Sequence, residues 1–179
     1  MTLKLYTMAT PGVVKYNIPK FWDDEFKILD YIHEPFNDPV SVEHWTAQGY
    51  TSKICGELCD MRHRLPLWTS KFVEIYEAQG WKDIGLAFYR MRTDTVMPVH
   101  QDLYKRYIEV FDLQGQETSI HRALLLLEDW KPGHYLEVDG RPYVDWKAGD
   151  TVEWVYDLPH MAANIGLEDR YSLQITGHV

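Results

Sequence analysis

From residue 83 to the end, apolar and polar positions alternate in short runs, and each run stops at a turn residue. Alternation with period two over about four to eight residues, bounded by Gly, Pro, Asn or Asp, is the pattern of a half-buried strand. It predicts strands near 85–93, 97–101, 119–127, 134–138, 142–146, 151–156, 161–165 and 170–177. Turn residues fall between them at Pro132-Gly133, Asp139-Gly140, Ala148-Gly149-Asp150, Pro159 and Gly166. Asp139-Gly140 suits a two-residue hairpin, because a type I′ turn needs positive φ at both central positions. Short strands at this spacing predict a mainly β chain folded as a double-stranded β-helix, a cupin-like jelly-roll.

Before residue 80 the spacing turns helical. Asp23 or Asp24 is placed to cap a helix through about His33, with Phe26, Leu29 and Ile32 on one apolar face. A second helix is predicted from about Thr69 to Gln79, where Phe72, Val73 and Tyr76 form a stripe and Gly80 suits the stop. Both are expected to flank the β core on the outside of one sheet. Residues 34–60 read as one long ordered connection, and a connection of that length in a compact domain is expected to cover a site. With no internal repeat or low-complexity stretch, 1–179 reads as a single domain: a helical and loop part, 1–82, packed on a jelly-roll core, 83–179.

Composition adds bounds rather than chemistry. A chain of 179 residues, 45% hydrophobic and 25% charged, suits an ordinary globular core, and an aromatic share of 14% suits strands. The formal charge is −9 with no run of Lys and Arg, which argues against non-specific binding to nucleic acid or to an anionic membrane. No stretch approaches the roughly 20 apolar residues of a membrane span, and the first residues lack the apolar core of a signal peptide. Cys55 and Cys59, the only two cysteines, therefore read as reduced thiols, and a cytoplasmic setting is the expectation.

The candidate chemistry starts at His100-Gln101-Asp102. Two residues apart on an extended segment, an imidazole and a carboxylate point the same way and can share one metal. Alone this is weak, since roughly one His-x-Asp is expected by chance in a chain of this composition. His160 follows several strands later, just after Asp157-Leu158-Pro159. Two His and one carboxylate occupy one face of an octahedron and leave three positions open, the arrangement of non-haem Fe(II) oxygenases. A core histidine bonded to backbone explains His160 as well. Ten residues on, strand alternation puts Arg170, Ser172, Gln174 and Thr176 on one face and Tyr171, Leu173 and Ile175 on the other. If the first face lines a cavity, Arg170 needs an anionic partner there, and a dicarboxylate gripped by the guanidinium and the Ser172 hydroxyl supplies one. A surface Arg170 paired with Glu168 or Asp169 is the competing reading. Tyr104, Lys105 and Arg106 read as a lid, a substrate contact or a solvated turn. His44, His63, His121 and His134 read as structural or exposed.

Taken together, these residues resemble the 2-oxoglutarate and Fe(II)-dependent oxygenase superfamily. Its pattern is His-x-Asp, a distant second His, and an Arg about ten residues further on, often as Arg-x-Ser. The chain has HQD at 100–102, His160, and RYS at 170–172, and the resemblance covers about residues 84 to 177. From Ile120 to Val179 it looks most like the aspartyl/asparaginyl β-hydroxylase type, on the segment IHRALLLLEDW and the turn from Trp146 to Gly149. The resemblance implies a catalytic Fe(II) held by His100, Asp102 and His160. It also implies 2-oxoglutarate as co-substrate, contacted by Arg170, Ser172, Arg122 and Tyr135, with O2 consumed and succinate and CO2 released. The substrate implied is an amino-acid or protein side chain (aspartyl/asparaginyl or prolyl type) or a small metabolite. The alternative is a non-catalytic cupin-like module that binds metal or ligand, although the His-x-His, Glu and His spacing common in cupin metal sites is absent.

Overall fold

The alternating runs form two antiparallel sheets in the computed structural model, which describes residues 4–10, 12–50 and 54–179. In chain order the first strands are β1 (Lys4–Thr10), β2 (Val13–Asn17), β3 (Ile32–His33), β4 (Glu57–Asp60), β5 (Lys82–Met91) and β6 (Thr95–His100). The rest are β7 (Ile120–Leu126), β8 (His134–Val138), β9 (Arg141–Tyr143), β10 (Asp150–Val155), β11 (His160–Asn164) and β12 (Arg170–His178). The helices are α1 (Pro39–Ala47), α2 (Ser70–Glu77) and α3 (Lys105–Val110). The larger sheet runs β1-β2-β10-β7-β12-β5-β4-β3 and the smaller runs β6-β11-β8-β9. This is the jelly-roll that the alternation predicts. At the β8–β9 hairpin, Asp139 and Gly140 hold φ of 51° and 70°, the left-handed pair that the turn requires.

Period-two alternation assigns each side of the larger sheet its own core. On the outer side Ala123, Leu125, Leu173, Ile175 and Phe88 pack against Phe72 and Tyr76 of α2. Leu125, Leu173 and Ile175 are fully buried, and each contributes roughly 1.5–3 kcal/mol by leaving water. On the inner side Leu124, Leu126, Val152 and Trp154 meet Leu136 and Val138 of the smaller sheet. On the same inner side the register sets Ser172 and Gln174 of β12 beside Leu126 and Leu124 of β7, so polar and apolar side chains share the space between the sheets.

The N-terminal third departs from expectation in three ways. The division at residue 82 does not hold, because β1 to β4 are four of the eight strands of the larger sheet. The helix expected through His33 is one 3-10 turn, Asp24–Ile28, capped by the Asp23 side chain. Residues 32–33 leave it to pair with β4 through Ile32↔Leu58 and His33↔Glu57, so sheet hydrogen bonds displace helical ones. The expected connection 34–60 contains α1 and β4, while residues 51–53 of it lie outside the described residues. Helix α1 escapes periodicity because it has no apolar stripe: Trp45 is its one buried residue and Val40 is 73% exposed. Its signal is local, with Pro39 at the first helical turn. No helix among the described residues is long and apolar enough to cross a membrane.

Candidate metal centre and its cavity

His100 ends β6, and His160 opens β11 directly opposite it in the antiparallel register. Pro98 is tolerated in β6 because that strand is the edge of the smaller sheet. The cross-strand pair puts the two imidazole centroids 4.2 Å apart. Each ring is oriented the same way: Nδ1 donates to a carbonyl two residues upstream, Pro98 at 2.7 Å for His100 and Leu158 at 2.9 Å for His160. That fixes the tautomer and leaves both Nε2 lone pairs free. Both face Asp102, with His100 Nε2 4.0 Å from Oδ1 and His160 Nε2 3.7 Å from Oδ2. One ligand atom from each of the three residues lies within 4.8 Å of the other two.

Protonation states suit a divalent ion. Burial and the neighbouring His160 push His100 down to about 4, and burial also lowers His160, so both rings are neutral at pH 7. Burial works to raise the Asp102 carboxyl, but Arg122, the two imidazoles and the Tyr104 hydroxyl outweigh it and hold it at about 2. Two neutral imidazoles and one carboxylate form a donor set for a first-row transition metal with positions left for other ligands.

These residues open onto a cavity of about 270 Å³ between the sheets, walled by Leu124, Leu136 and Trp154. The alternation of β12 delivers Arg170, Ser172 and Gln174 into it, while Tyr171, Leu173 and Ile175 join the outer core. Gln174 sits at the metal end, since it accepts from Arg122, which in turn reaches Asp102. Arg170 lies four residues, roughly 13 Å of strand, further along. It is 2% exposed, ruling out the surface ion pair, and Glu168 pairs with Lys131 instead. Its Nη1 meets the Met91 sulfur at 3.2 Å and its plane lies 5.5 Å from the Trp146 ring centroid. Nε and Nη2 of Arg170 and the Ser172 hydroxyl are buried and find no hydrogen-bond partner among the described residues. Burial pushes the guanidinium down to about 10, so it stays charged at pH 7. A buried cation with free donors beside a free hydroxyl fits a carboxylate.

The turn before β12 sets Arg170 in place. Asn164 Nδ2 donates to the carbonyls of Met91 and Glu168, both at 2.8 Å, and His134 Nε2 meets Glu168 O at 2.9 Å. His134 is thus structural. The connection after β3 does reach the site: Glu34, Phe36 and Asn37 line the cavity, and Phe36 and Trp45 stand edge-on to His100 at 5.1 and 6.3 Å.

Two expected contacts move. Tyr135 points away from the cavity, because β8 buries His134, Leu136 and Val138 and turns Tyr135 and Glu137 to its other side, where the Tyr135 hydroxyl bonds Glu137. It is not a co-substrate contact. Arg122 lines the cavity, but its guanidinium already pairs with Asp102 and donates to Tyr104 and Gln174. The tyrosine that does line the cavity is Tyr89 of β5, the cross-strand partner of Ser172. Its oxygen accepts from the Gly56 N–H at 2.6 Å, which leaves its own proton to donate. Only the β5–β12 register identifies it, and the sequence pattern does not contain that register. Gln101, between the two ligands of the His-x-Asp motif, also has a role. It donates to Asp157 O at 2.6 Å and to the Asp157 carboxylate, tying the two ligand-bearing segments together.

No family model matches the chain, and no curated protein matches it in sequence. Among solved structures it is similar to a Pseudomonas putida prolyl-4-hydroxylase at TM-score 0.54 and 16% identity, over 78% of this chain and 83% of that one. It also matches a predicted oxalate decarboxylase from Thermotoga maritima (TM-score 0.41, 13% identity, 69% of this chain and 80% of that one). A third match is KdgF from Halomonas sp. (TM-score 0.41, 10% identity, 69% and 78%). At 16% identity the likeness to the prolyl-4-hydroxylase concerns the fold alone. None of the three is an aspartyl/asparaginyl hydroxylase, and that finer placement is not retained.

Proposed function

We propose that this chain is a 2-oxoglutarate-dependent Fe(II) dioxygenase that hydroxylates an amino-acid or protein side chain or a small metabolite. One observation carries the reading. A buried Arg170 with two unpartnered nitrogens shares a cavity with two neutral imidazoles and an ionised carboxylate. A metal-binding cupin module needs the second group and gains nothing from the first, whereas a chelating dicarboxylate needs both. Similarity in fold to a prolyl-4-hydroxylase supports the same class.

His100, Asp102 and His160 would hold the metal. Arg170 would grip the far carboxylate of 2-oxoglutarate in a fork, with Ser172 and the Tyr89 hydroxyl donating beside it. With Fe(II), 2-oxoglutarate and O2 bound, the metal supplies oxidative decarboxylation to succinate and CO2 coupled to oxidation of a substrate C–H bond. The protein contributes orientation and dryness. Leu124, Leu136 and Trp154 keep water from the cavity wall, and Phe36 of the covering segment shields His100. The negative net charge favours neutral or cationic substrates.

The test is succinate formation across amino-acid and peptide pools with Fe(II), 2-oxoglutarate and O2 supplied. Succinate above the substrate-free rate with one pool, lost in His100→Ala, is the expected result. Turnover unaffected by His100→Ala rejects the assignment.

A further inference from the structure

Asp102 has two oxygens, and the protein treats them differently. Oδ2 forms an ion pair with Arg122, whose Nη2 lies 2.9 Å away, and accepts a hydrogen bond from the Tyr104 hydroxyl at 3.1 Å. No hydrogen bond reaches Oδ1 from the described residues; it is the oxygen nearest His100 Nε2, at 4.0 Å, while His160 Nε2 lies 3.7 Å from Oδ2. Arg122 is itself held on three sides: Nη1 donates to Gln174, Nε donates to the Tyr104 oxygen at 3.2 Å, and its plane lies 5.2 Å from the Tyr104 ring centroid. Tyr104 holds a left-handed backbone, φ 47°, that an L residue with a ring adopts at a cost. Its hydroxyl is thereby returned to a carboxylate only two residues upstream.

We infer that Arg122 and Tyr104 form a clamp that occupies Oδ2 and keeps Asp102 a one-oxygen ligand through Oδ1. The inference rests on the metal-site part of the proposed function and is independent of the co-substrate. It has a chemical consequence. A carboxylate chelating through both oxygens fills a coordination position that an incoming chelating acid and O2 need. A charged donor held by burial and three partners prevents that more firmly than a neutral one. Arg122 is thus a positioning residue, acting on the metal through Asp102. This reassigns the one Arg of the IHRALLLL strand from the co-substrate to the metal ligand.

The test uses Co(II) as probe on the full-length chain, following affinity by titration and ligand field by visible absorption per bound ion. Arg122→Met should weaken Co(II) binding about 10- to 100-fold. It should also change the spectrum at saturation, because the carboxylate then binds through both oxygens. Arg122→Lys should restore part of the affinity and most of the wild-type spectrum. Tyr104→Phe, which leaves the arginine in place, should give a smaller change in the same direction. It also stands in if Arg122→Met fails to fold. A spectrum per bound ion that is unchanged in these variants, at whatever affinity, overturns the clamp, since a merely structural role would reduce occupancy without altering the ligand field. Wild-type protein that binds no Co(II) overturns the metal site and the clamp with it. Wild-type binding with no effect of either substitution overturns the clamp alone.

Discussion

Arg170→Met should make the protein without 2-oxoglutarate more stable and weaken its response to 2-oxoglutarate. Arg170 is 2% exposed with Nε and Nη2 unpartnered, and burial pushes it down to about 10. Keeping it charged at neutral pH therefore costs about 3 kcal/mol. That cost applies at every pH below the lowered value and fades only above it, so it is constant between about pH 6 and 8. Met retains much of the apolar stem and removes the charge. Loss of the contact with the Trp146 ring offsets about 1 kcal/mol of the gain. A net stabilisation of about 1–2 kcal/mol remains, which in a chain of this size raises Tm by about 2–8 °C. The same change removes a bidentate charge-assisted bond, costing about 3 kcal/mol or roughly a hundredfold in 2-oxoglutarate affinity. Thermal unfolding followed by circular dichroism, with Mn(II) and with or without 2-oxoglutarate, reads both effects. Wild type should start lower and rise with the ligand, while the variant should start higher and stay there. A variant less stable than wild type without ligand, or one that keeps the ligand-induced rise, refutes the reasoning.

Other positions give sharper or simpler outcomes. Tyr89→Phe should raise the KM for 2-oxoglutarate about three- to tenfold, the worth of one hydroxyl hydrogen bond, with kcat little changed; an unmoved KM removes Tyr89 from the site. Tyr135→Phe, on the far side of β8, should leave turnover within about twofold, and a larger loss would contradict its placement. Gly149 holds φ 95°, and a Cβ there would lie 2.1 Å from the Ile18 carbonyl oxygen. Gly149→Ala should therefore cost about 3 kcal/mol or more and lower Tm by at least about 6 °C in the same melts.

The pattern from residue 83 onward was enough to place eight strands, because short apolar and alternating runs are punctuated there by turn residues. The same parity argument put Arg170, Ser172 and Gln174 on one face of β12, where they line the cavity. What escaped depends on pairing partners. Tyr89 becomes a neighbour of Ser172 only through the β5–β12 register, and the strand that carries Tyr135 is legible in the sequence while the side it turns to the cavity is not. Strands β1 and β2 lie ahead of the helical patterns, and they enter the larger sheet through the pairing of β2 with β10, with β1 paired to β2. Helix α1 has no apolar stripe, so no periodicity betrays it. His100 and His160 carry no sequence mark of their opposition; the smaller sheet creates it.

Anaerobic titration with Fe(II) and 2-oxoglutarate, monitored by visible absorption and metal analysis, tests the central claim most directly. The account predicts one Fe(II) per chain and a weak charge-transfer band that needs both components. Asp102→Ala should lose the iron, and Arg170→Ala should keep the iron but lose the band at the same 2-oxoglutarate concentration. Wild-type protein that binds no iron, or binds it with no band when 2-oxoglutarate is added, would contradict it.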